Sequence, residues 1–147
     1  MIPLLPYRRV EIVSPHSPDA LAQRINAVTS PGRPWLRSLP GNFHFTGRVS
    51  SAAFYLVPVI RGRNTYLPHV RGVIHDTSGG TRIQLVQTLH PIAIAFVIGL
   101  CFVLPLIFGA SAGMALLVLF VFHSLMYFVG FLPEAERTEE RIRALAA

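Results

Sequence analysis

Residues 91–132 read PIAIAFVIGLCFVLPLIFG, ASA and GMALLVLFVFHSLMYFVGFL, 42 positions without Asp, Glu, Lys or Arg. Two apolar arms, 91–109 and 112–132, flank a short run of Gly, Ala and Ser that is small and uncharged enough to reverse the chain. At about 1.5 Å per residue, each arm makes a helix of roughly 28 Å, near the hydrocarbon thickness of a bilayer. A single helix through all 42 residues would be far too long. The reading is therefore a two-helix transmembrane hairpin over residues 90–132, with both flanking segments on one side.

Outward from the hairpin, the joins are abrupt. On the N-terminal side a strand-like run ends at Leu89, His90 stands at the boundary, and Pro91 opens the first arm, where its missing N–H costs little. On the C-terminal side Pro133 is expected to stop the second arm. Residues 133–147 then form a short charged helix, in which Glu134–Arg137 and Glu139–Arg143 are the favourable neighbours.

Residues 1–89 read as a small α+β domain. Alternation marks strands at 8–13, 43–49, 53–60, 66–76 and 81–89. Pro58 suggests an edge or a bulge. Thr77-Ser-Gly-Gly80 is a two-residue hairpin signal. Ser17-Pro18-Asp19 starts the one helix: Ser17 accepts from orphan amides, Pro18 suits the first turn, and Asp19 meets the positive dipole end. Leu21, Ile25 and Val28 then share a face. Residues 30–42, with Trp35, and the turn around Arg61 and Arg63 are loops. The expected fold is a small antiparallel sheet carrying one helix, then the hairpin, then the charged tail.

Charge sets the orientation. Residues 1–90 carry ten Arg against Glu11, Asp19 and Asp76, a net +7; the tail carries three Arg against four Glu, a net −1. The segment between the arms carries none. The excess of arginine places both termini in the cytoplasm, at a bacterial plasma (inner) membrane. Arg8, Arg9, Arg61 and Arg63, with Trp35 as an interfacial anchor, are the residues expected to meet lipid headgroups or a partner. The arginines are scattered through strand-like sequence without a recognition motif, which argues against nucleic acid. All 13 basic residues are Arg, as coding bias in a GC-rich genome or guanidinium chemistry would give. The single cysteine, Cys101, lies within the first arm, so no disulfide forms within the chain. The start, Met1-Ile-Pro-Leu-Leu-Pro6, is too short and too broken by proline for a secretory signal.

The run from Phe43 onward resembles a family of small uncharacterised bacterial membrane proteins with two spans. The matching residues are Phe45-Thr46-Gly47, Arg63-Asn64-Thr65-Tyr66-Leu67-Pro68, Gly72, Gly80-Thr81 and Leu89-His90-Pro91. The resemblance covers roughly residues 7–132. It implies the same order of domain and hairpin and brings no activity with it.

Few residues carry chemistry. His123 lies near the centre of the second arm, where an ionisable group is costly and a functional role is the default hypothesis. Three uses are open to it: packing against the first helix near the Cys101 carbonyl, which Pro105 deprives of its helical partner; contact with another protein; or ligation of a haem iron or chlorophyll magnesium. No other cofactor is indicated. His69 and His75 share strand parity but are separated by about 20 Å along a strand, too far for one metal ion. His90 reads as an interfacial cap. There is no nucleophile motif, and the main domain has only three carboxylates, so no catalytic or metal residues are assigned. The leading expectation is a non-catalytic accessory subunit docking on a larger membrane protein complex. The alternative is a lipid- or ligand-binding module at the inner leaflet.

Overall fold

The computed structural model describes residues 6–30, 43–60, 66–109 and 112–147. Among them, six strands form one sheet: β1 (Tyr7–Ser14), β2 (Thr29–Ser30), β3 (Phe45–Val49), β4 (Ala53–Pro58), β5 (His69–Thr77) and β6 (Gly80–Thr88). The order across the sheet is β1-β6-β5-β4-β3-β2. Helix α1 (Pro18–Ala27) carries the chain from β1 at one edge to β2 at the other. Its start is as the sequence predicts: the Ser17 hydroxyl accepts the Ala20 N–H at 3.4 Å, with Pro18 in the first turn. The β5–β6 hairpin sets Thr77 opposite Gly80. Gly80 has φ +130°, and a Cβ there would meet the Ser14 carbonyl at 2.3 Å, so only glycine fits.

Strand alternation sorts the sheet into two faces. One face holds Ile12, Phe45, Phe54, Leu56, Val70, Ile74, Ile83 and Leu85, packed against Leu21 and Ile25 of α1 and against Ile142 and Ala146 near the C-terminus. Gly72 belongs to this face because the Phe54 ring lies on it from the neighbouring strand; a Cβ would fall 2.1 Å from that ring. Pro58 ends β4 beyond its last partner on β5, so its missing N–H breaks no ladder bond to that strand.

The apolar part differs from the layout expected from the sequence. Helix α2 (Pro91–Phe108) lies beside α3 (Ala112–Met126). A π-turn over Tyr127–Phe131 joins α3 to α4 (Leu132–Ala146) without a break. The continuous helix Gly113–Ala146, 34 residues, is the only one among the described residues long and apolar enough to cross a membrane. Helix α2, 18 residues, counts among the described residues only as a shorter apolar helix. The two-helix transmembrane hairpin with a separate charged helix is thus corrected to one long helix with a shorter one alongside.

A physical reason lies at Pro133. It fails to stop the second arm, because the π-turn before it absorbs the missing donor: Leu132 N–H bonds the Tyr127 carbonyl, five residues back. Two further corrections concern the sheet. It is mixed, because Thr29 and Ser30 pair in parallel with Phe45 and Thr46. Two helices, α1 and α4, cover it, where one was expected. The predicted loop 31–42 with Trp35, the turn at Arg61 and Arg63, and residues 110–111 of the reversal lie outside the described residues.

Candidate functional site

Helix α4 decides which parts of the molecule are free. Phe131, Ala135, Thr138, Ile142 and Ala146 recur at helical spacing and are all buried, giving α4 a narrow face that fits the sheet. Gln87, fully buried on β6, donates its Nε2–H to the Ala135 carbonyl at 3.1 Å. Ser14 donates its hydroxyl to the Ala146 carbonyl, fixing the other end of α4. Arg8 reaches Glu139 at 2.8 Å and Glu136 at 3.3 Å. Those contacts engage Arg8 within the fold. The expected pairs within the tail both form, Glu134–Arg137 at 2.7 Å and Glu139–Arg143 at 2.9 Å.

Where the sheet meets the apolar helices, Tyr66, Leu89, Phe131 and Ala135 form a second small core. His123 joins this junction. Its Nδ1 lies 3.3 Å from the Tyr66 hydroxyl and the two rings are 5.9 Å apart. The contact expected with the Cys101 carbonyl rested on a symmetric hairpin; the structure gives His123 a partner in the β-domain instead. Burial raises the Tyr66 pKa, so the phenol stays protonated.

A second Tyr–His group sits on the other sheet face. The Tyr55 hydroxyl is hydrogen-bonded to His69 Nδ1, and the His69 and His90 rings are 4.7 Å apart. His90 Nδ1 accepts the Ile92 N–H at 3.1 Å, capping α2. That contact occupies the Nδ1 lone pair of His90. Among the described residues no three His, Cys, Asp or Glu side chains gather where an ion could sit. Burial, then the charges of His90 and Arg71, lower the His69 pKa to about 4, and His69 is neutral at pH 7.

Among the described residues, the sheet face carrying His69 is the one opposite α1 and α4. Register places Arg48, Tyr55, Arg71, Val86 and Arg9 side by side in one row across β3, β4, β5, β6 and β1. All three arginines are exposed. Arg9 donates to the Gln84 Oε1 at 3.3 Å, and Arg82, on the same face, pairs with Glu11 at 2.9 Å. Neither Arg48 nor Arg71 meets a carboxylate among the described residues. Tyr55 (37% exposed) lies within the row, and Tyr7 (50%) one row nearer the apolar helices.

Of the residues singled out from sequence, Arg9 lies in this row. Arg8 and His123 are engaged elsewhere, and Trp35, Arg61 and Arg63 lie outside the described residues. Sequence reasoning missed Arg48, Arg71 and the Tyr55–His69–His90 corner. The hairpin at Thr77–Gly80 would have set Arg71 opposite Val86, but nothing in the sequence fixed β4 beside β5 or β1 beside β6. Comparison with family models, with curated proteins and with solved structures returns no match.

Proposed function

We propose that this protein is a non-catalytic, membrane-anchored accessory subunit that presents its β-domain to a larger membrane protein complex. The observation that carries the reading is the stiffness of the joint between apolar layer and sheet. The helix Gly113–Ala146 runs from one into the other without a break, and β6 passes into α2 through Leu89 and His90 alone. A part that must reach a diffusing substrate needs a flexible tether; a part that docks in a complex benefits from a fixed orientation.

The anchor is the apolar half of that helix. Only 11% of its apolar window is buried within the fold, so it is no core helix, and Phe120, Val121, Leu125 and Phe128 remain uncovered. In water that surface would be a severe liability; lipid or neighbouring helices satisfy it. The pairing of Arg8 on β1 with Glu139 on α4 supports a reading in which the segments before and after the apolar run share one side of the membrane. The arginine excess makes that side the cytoplasm of a bacterial plasma membrane.

The test is the composition of the particle carrying the full chain, extracted from its native membrane in mild detergent and cross-linked beforehand. Stoichiometric companions are expected. A chain that runs alone under both conditions contradicts the accessory role.

A further inference from the structure

We infer that the arginine row on the sheet face opposite α1 and α4, Arg48–Arg71–Arg9, binds the phosphates of anionic phospholipid headgroups. The inference rests on the membrane anchoring proposed above but not on the partner complex. Neighbouring strands are about 4.8 Å apart, and the three arginines are two strands apart in turn, so roughly 10 Å separates each from the next. That spacing lets each guanidinium meet a different headgroup, with the forked donors that match phosphate oxygens.

Charge and height both favour this occupant. Among the described residues the face carries Arg9, Arg48, Arg71 and Arg82 against Glu11 alone, and Glu11 is already taken by Arg82. α4 continues the axis of α3 and runs along β1, from Glu136 beside Arg8 to Ala146 beside Ser14. The strands therefore rise out of the apolar layer instead of lying flat on it. In β6 the row stands at Val86, four residues or roughly 13 Å before His90, where α2 begins. One row nearer the apolar helices come His69, Thr88 and Tyr7. Tyrosines with an apolar ring and a wet hydroxyl mark the membrane–water boundary, and arginines just above it bend their long stems down to the phosphates.

A single-stranded nucleic acid would also answer to exposed arginines, but it is read through stacking on successive aromatic rings, and Tyr55 is the one aromatic within the row.

The experiment uses the purified full chain in mild detergent, with thermal unfolding followed as dioleoyl phosphatidylglycerol or dioleoyl phosphatidylcholine is added. Phosphatidylglycerol is expected to raise Tm and phosphatidylcholine to leave it unchanged. The double variant Arg48→Gln/Arg71→Gln, checked for native circular dichroism, should lose more than half of that rise. Arg48→Lys/Arg71→Lys should keep part of it, and Arg137→Gln, on the far side of α4, all of it. Equal responses to the two lipids, a full rise in the glutamine double variant, or the same rise from inorganic phosphate at equal concentration would each overturn the inference. So would tighter binding of a single-stranded oligonucleotide that removes the lipid effect. If the chain keeps its anchor and yet shows no lipid preference, the inference fails while the anchoring stands.

Discussion

Gly72 shows how much rests on single positions. The Phe54 ring occupies the space that any side chain at residue 72 would need, and β4 and β5 close around that contact. Gly72→Ala is expected to destabilise the domain by about 1–3 kcal/mol, the usual cost of overpacking a core, read from thermal or urea unfolding in detergent. His69 gives a different signature. Its folded pKa of about 4 lies below the usual 6.5, so the unfolded chain binds the proton more tightly. Stability from this group is therefore full above about pH 6.5, falls as the pH drops through that window, and levels off below about pH 4. His69→Gln should flatten the stability profile between pH 4 and 6.5 and change little at pH 8; an unchanged slope would show that His69 is not the titrating group. Parity in the sequence had already set His69 on the face shared with His75. It could not bring Tyr55 or His90 there, because those contacts depend on strand order and on where α2 begins.

Among the elements, α4 separates most sharply from its sequence reading. Its charged composition suggested a short separate helix after Pro133, yet the buried series from Phe131 to Ala146 was present in the sequence at helical spacing. Pro133 concealed it by seeming to end the helix, and a π-turn is not written in hydrophobic periodicity. Ile142 carries the docking. Ile142→Ala should cost about 2–5 kcal/mol by opening a cavity between α4 and the sheet. Glu139 supports it from the rim, holding Arg8 on one oxygen and Arg143 on the other while only 12% of its side chain is exposed. Glu139→Ala is expected to cost roughly 1.5–3 kcal/mol, as charged hydrogen bonds do. Arg143→Ala, half in water, should stay within about 1 kcal/mol. Comparable losses in the two variants would show that the Arg8 contact adds nothing. The other elements were easier to read: α1 has its cap, proline and apolar face in order, and the β5–β6 hairpin has its glycines.

At the scale of the whole molecule, the division into a β-domain and an apolar layer was visible in the chain from the 42 uncharged residues at 91–132. The division of that run into helices was not. Apolar length counts residues, whereas helix ends are set by where backbone donors are lost and how neighbouring turns absorb the loss, and here the π-turn carries the helix through Pro133. The outcome is one helix whose two halves live in different surroundings: an apolar half uncovered by the fold and a charged half clamped to the sheet. The most direct measurement places one probe in each half. In a Cys101→Ala background, single cysteines replace Leu117, exposed on α3, or Ala144, exposed on α4, and the full chain is reconstituted in liposomes. A fluorophore at residue 117 should be quenched by brominated lipid and the thiol should resist a water-soluble maleimide. Residue 144 should escape the lipid quencher and react freely. Equal quenching and equal aqueous reactivity at the two positions would contradict an anchor that ends where the sheet begins.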